Sequence, residues 1–430
     1  MRVSRRATVV VLAGSLGGAL VACAGVWGIQ DRSLDPLLED GSADGGSSQD
    51  GTSGGDDGTT MADVQRTGDG PATDSSSNPD SPVSASDASD GGGGGGPDGP
   101  AGDAQPTCDP CTLATALNHP YFLAADSQNV YWTEWGDSNG AGNGTVKGCS
   151  VNGCPGGPTA YAIGLTNPVG IAVDSTNIYF GTASYSSVTG GIWSCAIGGC
   201  GGNPALLASA DTPYGVAVDS TTVYWVDNYD GTVHKVAKGG GSPAVTLYDG
   251  GSLDDAGSTL SELGQCVVDG PSLFFGDYSE DIYAMPTAGG APRYLGNTVN
   301  NGAYGSYFGI VTDTTSVYSG GNGIIVRADK SVVDSGTTLF NGVVAAVDLK
   351  RDPATGLVYY ANWGTGNSND GTVGRFATDG GARHVMQASL ATPEAVAISG
   401  NYLFWLSYGA LPDAGYTIVP STGALYRTAK

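Results

Sequence analysis

Three short acidic stretches of this chain carry the residue types of a cation site: "DNYDG" (227–231), "DYSED" (277–281) and "NSNDG" (367–371). Calcium takes about six to eight oxygens, commonly with an ordered loop and a bidentate acid. The same dipeptides also serve a simpler end. Asn143-Gly144, Asp230-Gly231 and Asp370-Gly371 each stand immediately before Thr-Val, where a hairpin turn asks for a residue of positive φ. The turn is the expected role, so no metal is predicted; calcium is the alternative cofactor.

Acid–base or nucleophilic chemistry has few candidates. The three histidines are His119, His234 and His384, and no HExxH pattern is present. His119, in "LNHPY", falls on a connection between repeat units; the other two fall within strands. The eight cysteines are more telling. Cys149 with Cys154 and Cys195 with Cys200 occupy equivalent places in neighbouring units, each pair bracketing a turn, and Cys108 with Cys111 form "CDPC". Structural disulfides are expected for all three pairs, in keeping with export. A redox or four-cysteine zinc use is the alternative. Cys266 is left over as a buried thiol.

These groups are carried by a repeat. The stretch "VYWVDNYDGTVHKV" (223–236) reads as two strands and a turn, and relatives of it recur seven times. The first aromatic of each pair is Tyr131, Tyr179, Tyr224, Phe274, Tyr318, Tyr359 or Phe404, at spacings of 41 to 50 residues. A short apolar strand precedes each pair, and two strands follow it. Asp126, Asp174, Asp219, Asp269 and Asp313 stand five residues before the aromatic, as turn formers between the first two strands. Ser399 takes that place in the last unit, and "DLKRDPATG" interrupts the sixth. Four short strands in each unit, without helical periodicity, predict an all-β fold, a β-propeller of seven blades, with six or eight as alternatives. The last unit ends after its third strand, while a lone fourth strand, "TLATAL" (112–117), precedes the first. That strand is expected to complete the last blade and close the ring, which removes exposed sheet edges.

The units resemble YWTD-type and NHL-type propellers, "YWTE" (131–134) most closely. The resemblance covers about 108–430 and implies the fold rather than a function. It departs from the six-bladed YWTD family in blade number. At the motif's fourth residue Asp227 and Asp277 match, whereas Glu134, Thr182, Gly321, Asn362 and Ser407 replace it.

Aromatics just past the second strand give the candidate binding residues: Trp135, Tyr278, Trp363 and Tyr408, with Tyr229 offset by one and Tyr185 by two. In a propeller these loops share a face with the blade-to-blade loops, which add Tyr121, Tyr214, Tyr307 and Phe308. Rings with polar handles around one rim suit a protein or glycan partner; packing between blades is the competing use.

The N-terminus reads as an export signal over 1–23: Arg2, Arg5 and Arg6, a short apolar run, then "LVAC". "LVAC" resembles a bacterial lipobox, which implies lipidation of Cys23. Ala24 after the cysteine favours the outer membrane of a Gram-negative host. Residues 24–107 carry 16 acidic residues against Arg32 and Arg66 in a Gly/Ser/Asp-rich composition, which predicts a disordered tether. The 108–430 region has a net charge of −14. Acidity in both parts excludes nucleic acid and direct docking on anionic lipid, leaving the lipid anchor as the membrane contact. The expected molecule is a monomeric, lipid-anchored cell-envelope propeller, a non-catalytic module binding an extracellular or periplasmic protein or glycan. An extracytoplasmic lyase or hydrolase with its site at the channel mouth is the alternative.

Overall fold

The computed structural model describes residues 108–136, 142–184, 190–250, 260, 262–277, 279–297, 309–365, 369–409 and 421–430. The export signal with Cys23, the tether, Tyr185, Tyr278, Tyr307 and Phe308 lie outside the described residues. Among the described residues, 28 strands pair antiparallel into seven four-stranded sheets. Six blades are built from four consecutive strands each. In the seventh the order is Cys111–Leu117, Gly423–Ala429, Tyr402–Ser407, Pro393–Ser399. The lone strand therefore closes the ring, with Cys111 opposite Arg427 and Leu117 opposite Gly423.

The aromatic pair that marks each repeat is explained by the pleat. Successive side chains in a strand leave on opposite faces, and a blade must cover both. Tyr131 packs with Ile171, Ile178 and Phe180 of blade two, whereas Trp132 packs with Phe404 and Leu425 of blade seven.

The aspartate five residues earlier closes the turn and anchors the aromatic. The Asp174 carboxylate accepts the Thr176 and Asn177 amides, each at 2.8 Å, and the Tyr179 hydroxyl at 3.1 Å. Asp126, Asp219 and Asp313 make the same set of bonds. A lysine at the end of a third strand reaches the corresponding aspartate of the preceding blade. Lys238 meets Asp174 at 2.7 Å and Lys430 meets Asp352 at 2.6 Å, and Lys330 pairs with Asp269. Partial burial pushes the Asp174 carboxyl up, but the Lys238 hydrogen bond and the two amides outweigh it and hold it well below the usual range.

The Asp-Gly and Asn-Gly expectation is met at one site and corrected at two. Gly231 adopts φ +68°, as a turn requires. Gly144 and Gly371 instead open the third strands Gly144–Ser150 and Gly371–Phe376. A Cβ there would come within 2.4 Å of Pro168 or Pro393, the first residue of the next blade's inner strand. Close approach between blades, not positive φ, demands these glycines. Asp370 accepts the Thr365 amide at 3.0 Å and its hydroxyl at 2.9 Å, so its carboxylate closes the loop.

Cys108–Cys111, Cys149–Cys154 and Cys195–Cys200 are disulfides, the mark of a chain exported to an oxidising compartment. Cys266 is free. Its apolar surroundings in the inner strand Leu263–Asp269 push the thiol up to about 12.

Candidate functional site

The inner strands of blades one, two, three and seven begin with Pro120, Pro168, Pro213 and Pro393. The pairing with the second strand shifts register just after each proline. Such a bulge re-aims the side chain it carries. Tyr121, Val169, Tyr214 and Glu394 hold this position. Tyr121 and Tyr214, read from sequence as loop residues, are thus strand residues. Their hydroxyls share a hydrogen bond of 2.8 Å between the first and third blades.

The residue after each second strand is fixed by its own backbone. The amide of Trp135 bonds the His119 carbonyl at 2.9 Å, that of Trp363 the Ala345 carbonyl at 2.9 Å, and that of Tyr408 the Thr392 carbonyl at 3.0 Å. The YWTD-like fourth residue supports the same junction. Glu134, Asp227 and Asn362 accept the amides of Asn118, Thr212 and Ala345 at 3.1, 2.6 and 2.9 Å. Blade ends and blade connections are thereby tied together on this face.

One cluster results. Tyr121, Tyr214, Trp363 and Tyr408 are buried together, with Trp135 partly buried against them. Trp135 and Tyr214 meet Tyr121 edge-on at centroid distances of 5.5 and 5.9 Å. His119 stacks on Tyr408 at 5.6 Å. Its Nδ1 donates to the Gly136 carbonyl at 2.6 Å, since a carbonyl only accepts. In the neutral ring this leaves Nε2 as an acceptor, and Nε2 is buried without a partner. The Trp363 indole N–H is likewise buried with no partner at hydrogen-bond distance. It still acts on the Glu394 carboxyl, favouring its ionised form, though burial dominates and holds that group well above the carboxylate range. Burial also pushes Tyr121 and Tyr408 up, helped by the charge that Glu394 would carry. The assembly is a ring-walled floor with one acceptor, His119 Nε2, unspent, beside a carboxyl whose ionisation burial opposes.

Of the residues expected to bind, Trp135, Trp363 and Tyr408 come together here, and Tyr278 lies outside the described residues. Tyr229 is 62% exposed and stands apart. Its one-residue offset is the cause, because Asn228 takes the pinned position, its amide on the Thr212 carbonyl at 2.8 Å. Glu394 was missed. Aligning "PYFLAA", "PVGIAV", "PYGVAV" and "PEAVAIS" exposes it as an acid in an otherwise apolar or aromatic column.

No family model matches the chain, and no curated protein matches it. Among solved structures, the WD40 β-propeller domain of Doa1 is similar at a TM-score of 0.53 and 14% identity, covering 74% of this chain and 96% of that one. The extracellular domain of BT4673 from B. thetaiotaomicron is similar at 0.52 and 9% identity, covering 74% of this chain. The chain spans 39% of the length of that domain's chain. At these identities the likeness is one of fold.

Proposed function

We propose that this protein is a lipid-anchored cell-envelope propeller that binds a glycan at the axial cluster of Trp135, Trp363, Tyr408, Tyr121 and Tyr214. The observation that carries this reading is the buried aromatic floor with its unpartnered His119 Nε2. Sugar C–H faces stack on such rings, and hydroxyls meet buried groups that lack partners. A domain of net charge −14 whose site carboxyl, Glu394, has its ionisation opposed by burial favours a neutral ligand. The catalytic alternative would draw on His119, whose Nδ1 is committed to Gly136.

A glycan array probed with the full chain tests the reading, and Trp135, being only partly buried, is the residue to change. Trp135→Ala is expected to weaken the best hit by about tenfold or more, the value of one stacked ring, and Tyr229→Ala by less than about twofold. Equal effects of the two substitutions would sink the assignment of the site.

The anchor is part of the same proposal, through Cys23 and the tether of 24–107. The closing strand Cys111–Leu117 runs toward the aromatic face, so the chain enters the domain from the opposite end, and an anchored ring would present its aromatic face away from the membrane. Cys23→Ala is expected to move the protein from the membrane fraction to the soluble one; an unchanged distribution would overturn lipidation.

A further inference from the structure

Below the aromatic floor the inner strands enclose a second space. One cavity of about 280 Å³ is walled by Leu123, Ile171, Val173 and Ile398, with Lys350 and Arg351. Another of about 230 Å³ shares Leu123, Ile171 and Lys350 and continues along Val216, Cys266 and Ile310. The first is bounded by the last residues of the inner strands Pro120–Ala125, Pro168–Val173 and Ala346–Arg351. It therefore lies at the end of the channel away from Tyr121 and Glu394.

The two cations belong to "DLKRD", the segment that interrupts the repeat. In the other six blades this part of the inner strand is uncharged: "LAA", "IAV", "VAV", "CVV", "IVT" and "VAI". Lys350 Nζ donates to Asp348 Oδ1 at 2.6 Å. Asp348 is otherwise satisfied by the Leu349 and Val396 amides, each at 2.9 Å. An ammonium has three donors, one of which is used here, and the Lys350 side chain is 34% exposed. The Arg351 Nε is buried without a hydrogen-bond partner. Donors with capacity left over, at one end of an apolar tube, match an amphiphilic anion in both charge and shape.

We infer that the channel binds a small amphiphilic carboxylate, its head on Lys350 and Arg351 and its alkyl tail along Leu123, Ile171 and Val216. This site is separate from the glycan floor, and either can fail without the other.

Calorimetric titration of the full chain with octanoate tests it, with octanol and acetate as the tail-only and charge-only controls. Octanoate is expected to bind saturably and about tenfold or more tighter than either control, and Lys350→Met to remove that advantage. Should Lys350→Met fail to fold because Asp348 loses its partner, Ala124→Leu provides the second variant. Ala124 is a partly exposed residue of the cavity wall, and the longer side chain is expected to block octanoate while leaving the thermal midpoint near that of the parent. Absence of saturable octanoate binding, octanol binding as tightly as octanoate, or full octanoate affinity in a folded Lys350→Met or Ala124→Leu variant would each overturn the inference.

Discussion

Raising the pH from about 5 to about 8 is expected to lower the thermal midpoint of this protein. Three carboxyl groups of the aromatic face have pKa values raised by burial. Asp227 and Asp277 move from 3.8 to about 7, and Glu394 stands well above its ordinary 4.5. A raised carboxyl binds its proton more tightly folded than unfolded. Its stabilising contribution is complete below the unfolded value and is lost as pH rises through the folded one. At about 1.4 kcal/mol for each pH unit, the move from 3.8 to about 7 corresponds to at most roughly 4 kcal/mol for each of Asp227 and Asp277. Carboxylates with depressed values, such as Asp174, Asp219 and Asp313, act in the opposite sense. They support the fold above about pH 4 and lose that support as pH falls further. The stability maximum should therefore sit near pH 4 to 5. Glu394→Gln keeps the shape of the neutral acid and cannot ionise. Its midpoint should fall less steeply with pH, and by more than experimental scatter at pH 8. Parallel profiles for the two proteins would show that Glu394 is not held neutral.

Deleting residues 108–118 is expected to abolish cooperative folding. The deletion removes the strand Cys111–Leu117 and with it the Cys108–Cys111 disulfide. It leaves Gly423–Ala429 as an unpaired edge in an opened ring, which is a template for aggregation. It also takes Ala114 and Leu117 from the cluster containing Leu123, Trp132, Phe404 and Leu425. Leu117→Ala alone, at a residue 1% exposed, should cost about 2–5 kcal/mol. Calorimetry and size-exclusion chromatography decide the matter. A monomeric deletion variant with a single transition within a few degrees of the parent would show that closure contributes little.

The repeat makes the architecture legible in the sequence alone. Blade number, the closing strand, the three disulfides and the turns of Asp126, Asp174, Asp219 and Asp313 stand as read, whereas Asp269 ends its strand and holds Thr312 and Lys330 instead. Each reading that stands rests on contacts between residues a few positions apart, or on a period that recurs along the chain. The glycines of Asn143-Gly144 and Asp370-Gly371 were misread for the complementary reason. What constrains them is a proline of the next blade, and no local pattern announces it.

The axial face was legible in its ingredients and not in its arrangement. Trp363 and Tyr229 look alike in sequence, each an aromatic shortly after a second strand. One is 7% exposed in the shared floor and the other 62% exposed, because a single residue of offset decides which side chain sits on the pinned amide. Glu394 and Lys350 belong to no known motif; what marks each in the sequence is a departure from the repeat, an acid in an apolar column and a cation in "DLKRD".

By itself, then, the sequence determined the blades and the order of their strands, because hydrophobic alternation and turn chemistry act over a handful of residues. Only the tertiary structure decided what meets on the axis. Tyr121 and Tyr214 touch across 93 residues of chain, and the amide of Val396 reaches Asp348 across 48. Such meetings are set by the bulge after each inner-strand proline and by the closing of seven sheets around one centre, geometry that belongs to the ring and to no single blade.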